Sequence, residues 1–450
     1  MNTKDTIAAI ATPPGQGGVA IIRISGPDAV AVAGRVFSGP VARYKSHTAH
    51  YGTVVDAAGT PVDDALLLPL LGERSYTGED TVEIQCHGGS LITRRVLETV
   101  LAAGARPAGP GEFTFRAFMN GRLDLTQAEA VQELIAAKSE RAASSARDHL
   151  SGHLSHRIAG FQARLTQIAA IFEAWVDFPE EGLEFASEES LLSDLRILSA
   201  EVEHLLTTYH QGQLVREGLS VCLIGAPNVG KSSLMNALMG RERAIVTDLP
   251  GTTRDTLEDE MRIGPFPIRL TDTAGIRDSS EVVEREGIRR THEALARADL
   301  ILWVVDLTRP FLKEEERLLE TLPQEKTVVV WNKGDVGGER RPLPLSHQVT
   351  ISAKHRVGLD QLTERVEQLI LRGSTLSQEE VWITSSRHKQ ALEEALAALN
   401  RAEGGLAEGR SPELLCLDIR AALKAFGRLI GTDITEDILS AIFSKFCVGK

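Results

Sequence analysis

The residues that most clearly carry chemistry lie between positions 225 and 232, where the chain reads Gly-Ala-Pro-Asn-Val-Gly-Lys-Ser. An apolar run precedes this segment and helix-forming residues follow it, so the pattern predicts a strand, a loop and a helix. The two glycines let backbone N–H groups turn inward around a phosphate, and the start of the helix adds its positive dipole end. Lys231 would reach the β- and γ-phosphates, and the Ser232 hydroxyl would bind Mg²⁺. The predicted nucleotide contacts are Asn228, Val229, Gly230, Lys231, Ser232 and Ser233.

A glycine-rich turn could produce this match by chance, but further motifs follow downstream in the expected order. Residues 272–275 read Asp-Thr-Ala-Gly after a β-type run, where an aspartate can hold Mg²⁺ through water and a glycine N–H can sense the γ-phosphate. Residues 251–255 read Gly-Thr-Thr-Arg-Asp, so Thr253 is the expected second hydroxyl ligand of Mg²⁺. The contacts predicted from the first of these segments are Asp272, Thr273, Ala274 and Gly275.

Two later segments would select the base. Residues 332–335 read Asn-Lys-Gly-Asp and residues 352–354 read Ser-Ala-Lys, each after a β-type run. Asp335 offers two acceptor oxygens to the N1–H and exocyclic amine of guanine, whereas adenine presents an acceptor in place of that N1–H. Because an unpaired buried carboxylate is costly, the site should reject ATP. The predicted contacts are Asn332, Lys333, Gly334, Asp335, Ser352, Ala353 and Lys354.

The residue that handles the catalytic water is not evident from the motifs. Ile276 stands where Ras-type enzymes carry a water-positioning glutamine. Arg277, Glu281 and Glu284 are candidates, although charges in such a run are often only the solvated face of a helix. The positive charge of an arginine finger could come from Arg254, from Arg277 or from a bound monovalent cation.

The elements that must position these motifs form three kinds of region. Residues 1–121 mix short β-type runs with helical spacing and predict an α/β domain. Residues 122–214 are rich in Ala and Leu at helical spacing, and that texture returns in residues 376–450. Residues 215–375 therefore predict a Ras-like P-loop domain with a mostly parallel sheet, inserted into a discontinuous helical domain. Both ends of the inserted domain would attach to one host, so a nucleotide-driven movement could reach the helices directly.

Local patterns refine the first two regions. Alternation over residues 81–86 places Glu83 opposite the apolar face of a strand, where it would meet solvent or a ligand. Residues 126–129 read Thr-Gln-Ala-Glu, a capping box that predicts a helix beginning at Thr126. The glycine-rich loop at residues 13–18 lacks the dinucleotide spacing and precedes β-formers, so we expect no flavin or nicotinamide site in this chain.

Composition limits the class of protein. The chain has 450 residues, 42% hydrophobic and 25% charged, which gives room for about three globular domains. The net charge of −13 argues against coating nucleic acid by bulk electrostatics, so we expect no DNA partner and only local RNA contacts. Neither a secretory leader nor a membrane-spanning stretch is evident, so we expect a cytoplasmic protein without a membrane partner. The cysteines, which lack the spacing of a zinc site or disulfide scaffold, are Cys86, Cys222, Cys416 and Cys447.

Together with these motifs, the C-terminal Phe-Cys-Val-Gly-Lys at residues 446–450 and the N-terminal segment at residues 11–26 resemble the MnmE (TrmE) tRNA-modification GTPase family. The resemblance covers essentially the whole chain. It implies a homodimeric, potassium-activated GTPase that works with an FAD-containing partner, MnmG (GidA). The pair would install an aminomethyl or carboxymethylaminomethyl group at C5 of the wobble uridine of certain tRNAs. A tetrahydrofolate derivative would supply the one-carbon unit.

The resemblance also implies how the missing positive charge is supplied. Asn228 would bind K⁺, and the loop at residues 247–251 would close around the ion. Pro250 replaces an alanine found in some relatives, but it keeps its carbonyl, so we expect cation binding to persist. Glu284 matches the family's water-activating position. The remaining K⁺ ligands would be Thr247, Leu249 and Thr252, and nucleotide contacts would extend to Asp248, Pro250, Gly251 and Thr252.

A folate site is implied for the α/β domain. Arg23, Glu83, Arg122 and Lys450 would contact a 5-formyltetrahydrofolate-like ligand; Glu83 suits pterin donors, and the cations suit a glutamate tail. Arg122 is a departure, since lysine is also found there. Cys447 would be either a packed small hydrophobe or a catalytic thiol, and its place near the chain end disfavours deep burial.

Two functions compete with the modifying GTPase. One is a GTPase switch or ribosome assembly factor that binds RNA without modifying it, and the other is a folate transferase with vestigial nucleotide binding. A folate site and a terminal cysteine motif are unnecessary for a switch, and complete nucleotide motifs argue against the transferase. The histidine-bearing basic stretch at residues 138–157 could touch tRNA or form a solvated helix face.

Overall fold

The computed structural model describes residues 4–178, 187–239, 262–264, 266–270, 295, 297–370 and 381–450. Two six-stranded sheets and a bundle of helices account for most of these residues. None of the helices in these ranges is both long enough and apolar enough to cross a membrane.

The N-terminal region forms a mixed sheet in the order β3-β4-β5-β2-β1-β6. Neighbouring strands are antiparallel except β1 and β6. Alternate residues such as Ile22, Ile24, Val82 and Ile84 are buried, because two helices cover one face of the sheet. The strands are β1 Ile7–Ile10, β2 Val19–Ser25, β3 His50–Val55, β4 Pro61–Leu70, β5 Thr81–His87 and β6 Arg106–Pro107, and the helices are α1 Ala29–Val36 and α2 Ser90–Ala102.

A helical region follows this sheet. Its helices are α3 Glu112–Met119, α4 Leu125–Ala136, α5 Glu140–Leu150, α6 His153–Asp177, α7 Glu188–Thr207 and α8 Tyr209–Glu217. The start predicted for α4 is wrong: the N-cap is Asp124, and Thr126 lies in the first turn. The Asp124 carboxylate accepts from the Gln127 N–H at 3.0 Å, and the Gln127 side chain accepts from the Asp124 N–H at 3.0 Å. A carboxylate two residues earlier therefore supplies the capping box.

The inserted domain has a sheet in the order β12-β11-β10-β7-β9-β8, parallel except for the pair β8 and β9. Every residue of β10 and β11 is buried, because apolar clusters cover both faces of the sheet. The strands are β7 Leu219–Ile224, β8 Arg262–Ile263, β9 Phe266–Leu270, β10 Leu300–Asp306, β11 Thr327–Asn332 and β12 Gln348–Thr350, and the helices are α9 Lys231–Met239, α10 Lys313–Thr321 and α11 Leu359–Ile370.

Three helices complete the chain: α12 Ser386–Ala407, α13 Pro412–Ile430 and α14 Glu436–Phe443. Apolar residues of α12 and α13 share one core with those of α6 and α7, which precede the inserted domain. The predicted fold class is confirmed, including the discontinuous helical domain that carries a P-loop domain as an insertion.

The last residues leave this bundle and return to the N-terminal region. Phe443 and Phe446 pack with Phe115 and Leu125, and Val448 forms a β-bridge with Pro110. The sequence analysis assigned this tail only to the second helical part. In the structure the tail also contacts the N-terminal region, where Val448 pairs with Pro110 and Gly449 lies beside Arg23.

Candidate nucleotide site and C-terminal motif

The loop between β7 and α9 requires glycine at two positions. Gly225 and Gly230 have φ values of +148° and +98°. A Cβ on Gly225 would lie 2.2 Å from the Val304 oxygen, and one on Gly230 would lie 2.1 Å from Nδ2 of Asn332. Asn228 also adopts a left-handed φ of 63°. The loop is therefore held open as a cradle between the ends of β10 and β11.

Lys231 folds back into this cradle. Its Nζ donates to the Gly225 and Ala226 carbonyls at 2.7 and 2.9 Å. Burial lowers the pKa of Lys231, and a bound phosphate would favour the charged form. Ser232 and Ser233 occupy the first turn of α9 and are exposed, so the Ser232 hydroxyl can serve as a hard oxygen ligand for Mg²⁺.

Asn332 connects the phosphate loop to both base segments. Its Nδ2 donates to the Val229 oxygen at 2.8 Å, and its Oδ1 accepts from the Ala353 N–H at 3.0 Å. Asn332 is 3% exposed, so both bonds are shielded from water. Three segments far apart in sequence are thereby fixed relative to one another.

Asp335 is held as an acceptor at the mouth of the site. Its Oδ1 accepts from the Ser352 hydroxyl at 2.6 Å, and this bond lowers the pKa of Asp335. Its Oδ2 lies 3.5 Å from Nε2 of His355. The Gly334 N–H donates to the Ile351 oxygen at 2.9 Å, which ties the loop to the end of β12. Lys354, the last predicted base contact, is exposed.

A second group of residues meets on the first sheet. Nε of Arg23 donates to Oε1 of Glu83 at 2.9 Å, and Nη1 of Arg23 lies 3.4 Å from the Gly449 oxygen. The guanidinium lies over the rings of Tyr76 and Phe113, 5.9 and 5.7 Å from their centroids. Glu83 is only 9% exposed, so it contacts Arg23 rather than facing open solvent.

The C-terminal tail reaches this group through Gly449, which approaches the first strand closely, and Lys450 follows Gly449 as the last residue. A Cβ on Gly449 would lie 2.2 Å from the Ile10 oxygen. Arg122 lies beside Gly78, where an added Cβ would stand 3.1 Å from its Cγ. Within the described residues, no hydrogen bond or ion pair joins Arg122 to Arg23, Glu83 or Lys450.

The backbone of Cys447 is hydrogen-bonded, and the residue is exposed. Its carbonyl accepts from the Gly111 N–H at 3.3 Å, while the residue itself is exposed. This exposure argues against a packing role for the thiol. Cys222 lies in β7 of the inserted domain and is buried.

Comparison with known proteins agrees with this architecture. A family model for the MnmE helical domain matches residues 125–447, and a model for the N-terminus of the GTP-binding protein TrmE matches residues 6–122. The tRNA modification GTPase MnmE of Protochlamydia amoebophila is 57% identical over 447 residues, covering 99% of this chain and 98% of the relative. The chain belongs to the MnmE tRNA modification GTPase family. Proteins of the same name from Geobacter sulfurreducens and Moorella thermoacetica are 45% and 46% identical, covering 100% and 99% of both chains in each pair.

Membership in the MnmE family makes this chain a GTP hydrolase that acts in tRNA modification. It also implies binding of a guanine nucleotide and Mg²⁺, so these predictions are confirmed at the level of the family. The remaining predicted site residues lie outside the described residues. They are Thr247, Asp248, Leu249, Pro250, Gly251, Thr252, Thr253, Arg254, Asp272, Thr273, Ala274, Gly275, Arg277, Glu281 and Glu284.

The sequence analysis missed a buried polar cluster on α4. Glu133 accepts from Nη1 of Arg216 at 3.1 Å and from the Thr384 hydroxyl at 2.9 Å, so it contacts both chain crossings to the inserted domain. Glu129, one turn earlier, accepts from Arg387 at 2.7 Å and bonds Nε2 of His388 at 2.6 Å. Burial opposes ionisation of both carboxyl groups, but His388 and Arg387 beside Glu129, and His149 and Arg216 beside Glu133, hold the pKa of each below its usual range. The sequence signal that could have indicated this cluster is the pair Glu129 and Glu133, which are four residues apart and therefore lie on the same face of α4.

The same cluster borders a cleft of about 270 Å³ between α4, α5, α8 and the end of the chain. Lys445, next to the C-terminal motif, lines this cleft, and its carbonyl accepts from Gln132 at 3.0 Å. Helix α4 therefore contacts both the base of the inserted domain and the segment that leads to Cys447.

Proposed function

We propose that this chain is a potassium-activated GTPase that works as a cytoplasmic homodimer with a flavin-containing partner of the MnmG (GidA) kind. Together they would add an aminomethyl or carboxymethylaminomethyl group at C5 of the wobble uridine of certain tRNAs. A tetrahydrofolate derivative would supply the carbon, and FAD would be bound by the partner. The observation that carries the proposal is the contact between the C-terminal motif, through the Gly449 carbonyl, and Arg23, which also holds Glu83; a simple switch has no use for such a site.

The nucleotide half of the proposal rests on the cradle and the base loop. The inward-turned loop around Gly230 would hold the phosphates, and Ser232 with Thr253 would bind Mg²⁺, which supplies positive charge beside them when bound. Asp335, already ionised and oriented by Ser352, would accept both guanine donors.

The K⁺ site is proposed from Asn228 together with Thr247, Leu249 and Thr252. A monovalent cation there would neutralise charge that develops on the phosphates during hydrolysis. Asn228 stands in the cradle with a left-handed φ of 63°, a conformation that asparagine tolerates better than most residues. Glu284 is the residue proposed to orient the attacking water.

The folate site is proposed from Arg23, Glu83, Arg122 and Lys450. A carboxylate that is 9% exposed and fixed by an arginine suits the amino and ring N–H donors of a pterin. Tyr76 and Phe113 flank Arg23 and offer apolar ring surface beside it. Cys447, whose thiol side is exposed near this group, is proposed as a nucleophile in the modification.

The proposal is tested by analysing tRNA nucleosides from cells that lack this protein. We expect the C5-substituted wobble uridines to disappear and to return when the wild-type gene is supplied. Complementation with Cys447→Ser should leave them absent while the purified variant hydrolyses GTP normally. Intact wobble-uridine modification in the deletion strain would eliminate the proposal and favour a GTPase switch.

The cation requirement is tested separately on purified protein. We expect GTP turnover to be faster in K⁺ than in Na⁺ at equal ionic strength. Equal rates in the two salts would refute the K⁺ site while leaving the modification reaction itself untouched.

A further inference from the structure

We propose that Asp306 is a positioning residue for guanine recognition, acting by holding Lys333 in place beside the base. Asp306 ends β10, and Asn332 is its register partner at the end of β11. Lys333 follows Asn332 directly, and its Nζ donates to Oδ2 of Asp306 at 2.6 Å. The inference rests on the proposed guanine site and adds a residue that none of its motifs contains.

The carboxylate of Asp306 is itself rigidly held. Its Oδ1 accepts from the Thr308 N–H at 2.9 Å and from the Thr308 hydroxyl at 2.7 Å. The side chain is 7% exposed, whereas that of Lys333 is 37% exposed. The two oxygens of Asp306 therefore have different partners: Oδ1 is held by Thr308, and Oδ2 binds Lys333 of the base loop. A fixed, largely buried carboxylate restricts a long side chain more than an exposed one would.

The base loop needs such restraint because its backbone is unusual. Lys333 has a φ of 65°, in the left-handed region that a non-glycine residue rarely adopts. The Leu307 N–H donates to the Asn332 oxygen at 3.0 Å, and a Cβ on Gly338 would lie 2.2 Å from the Leu307 oxygen. Asn332 and Gly338, at the two ends of the base loop, therefore both contact Leu307, the residue that follows Asp306.

These contacts give Asp306 a role in affinity. A free lysine side chain loses rotamer freedom when it packs its aliphatic stem on a base. With Nζ already bound to Asp306, much of that ordering precedes nucleotide binding, so the stem is ready to cover the guanine plane. The carboxylate also offsets the ammonium charge locally. The pKa of Asp306 agrees with this arrangement: burial opposes ionisation, but Lys333 and Thr308 together outweigh burial and lower the pKa.

The test compares Asp306→Asn with wild type in GDP and GTP binding and in steady-state hydrolysis. We expect Kd for both nucleotides and KM to rise about tenfold, as for loss of one charge-assisted contact, with kcat at saturation unchanged. Asp299→Asn is the matched control, because Asp299 accepts from the Ser220 N–H at 2.9 Å at the opposite end of β10. It should lower the melting temperature without changing Kd.

A double-mutant cycle shows whether Asp306 acts through Lys333. In a Lys333→Met background, Asp306→Asn should weaken GDP binding no further. Thr308→Val, which removes only the hydroxyl donor, should raise Kd by about threefold and covers the case in which Asp306→Asn fails to fold. Unchanged Kd in folded Asp306→Asn, unchanged Kd in Thr308→Val, or additive losses in the cycle would each overturn the inference. If wild type itself bound ATP as well as GTP, the proposed guanine site would fail instead.

Discussion

At the scale of single residues, base selection depends on one oriented carboxylate. Asp335 gives one oxygen to the Ser352 hydroxyl at 2.6 Å, which fixes the plane of the carboxylate. The same bond lowers the pKa of Asp335, so the group is an acceptor throughout the neutral range. Guanine can then be bound through two donors at once.

Replacing that carboxylate should change the base preference. In Asp335→Asn one acceptor becomes an N–H₂ donor, so two bonds to a charged acceptor are lost or opposed. At roughly 1.5–3 kcal/mol each, we expect GTP affinity to fall by at least about a hundredfold. Xanthosine triphosphate, which replaces the exocyclic amine by an oxygen, should gain relative to GTP. Competition binding measures both, with Glu339→Gln in the same exposed loop as control. Retention of full GTP selectivity would rule out Asp335 as the base contact.

Residue types and spacing indicated the phosphate and base motifs, because those motifs are contiguous in sequence. Asp306 could not be found in this way. Its partner Lys333 directly follows the neighbouring strand, and only the register of β10 with β11 brings the two together. The family resemblance indicated Arg23 and Glu83 as site residues. The contact of Arg23 with the Gly449 carbonyl is seen only in the structure.

At the scale of elements, α4 shows how a local pattern can mislead by a few residues. The Thr126 pattern fitted a capping box, but Asp124 supplies a stronger acceptor and Gln127 completes the reciprocal pair. The buried glutamates of α4 were also not evident, since charged residues at helical spacing are most often solvated. Their partners come from α5, α8 and α12, which only the tertiary fold assembles.

The α4 cluster makes stability depend on pH through His149. Its Nε2 bonds the Trp382 carbonyl at 2.7 Å and therefore carries a proton, while Nδ1 lies 3.5 Å from Glu133. Burial alone would lower the pKa of His149, but the Glu133 carboxylate outweighs it and raises the pKa. His388 stacks edge-on nearby, and burial lowers its pKa, so it stays neutral. A raised pKa means that the stabilisation is complete below the unfolded value of about 6.5 and is lost as pH rises through the folded value.

Replacing His149 by Gln should therefore cost more at low pH than at high pH. The raised pKa means that the folded state favours charged His149, so we expect the deficit in unfolding free energy to be larger at pH 6 than at pH 9. Urea unfolding of wild type and variant at the two pH values measures it. His153→Gln, at the exposed start of α6, serves as control. An equal deficit at both pH values would mean that His149 is not charged in the folded protein.

At the scale of the whole molecule, helix α4 lies between two distant parts of the chain. Leu125 and Ala128 pack with Phe443 and Phe446 of the C-terminal segment. One to two turns on, Glu133 contacts Arg216 and Thr384 at the two crossings into the inserted domain. Sequence texture predicted that insertion. The return of the tail to Pro110 was not predictable, because contacts between residues more than three hundred positions apart leave no periodic signal.

The close approach of the tail to the first strand requires a glycine at position 449, which gives a direct test of its importance. Gly449 has a φ of +97°, and an added Cβ would lie 2.2 Å from the Ile10 oxygen. Gly449→Ala should therefore lift the final residues from the first sheet. Because the nucleotide motifs lie in another domain, GTP affinity and kcat should stay unchanged. Carboxypeptidase should release the C-terminal residues about tenfold faster, as expected for a shift in local opening of about 1.4 kcal/mol.

A matched glycine separates this effect from the loss of a glycine in general. Gly404 lies within α12, and no atom stands within 4 Å of its added Cβ. Gly404→Ala should leave tail release unchanged and stabilise the helix by about 0.5–1 kcal/mol. Equal release from both variants and wild type would mean that close approach at Gly449 does not hold the tail. Faster release from Gly449→Ala, together with loss of reduced-folate binding in calorimetry, would tie the seated tail to the proposed folate site.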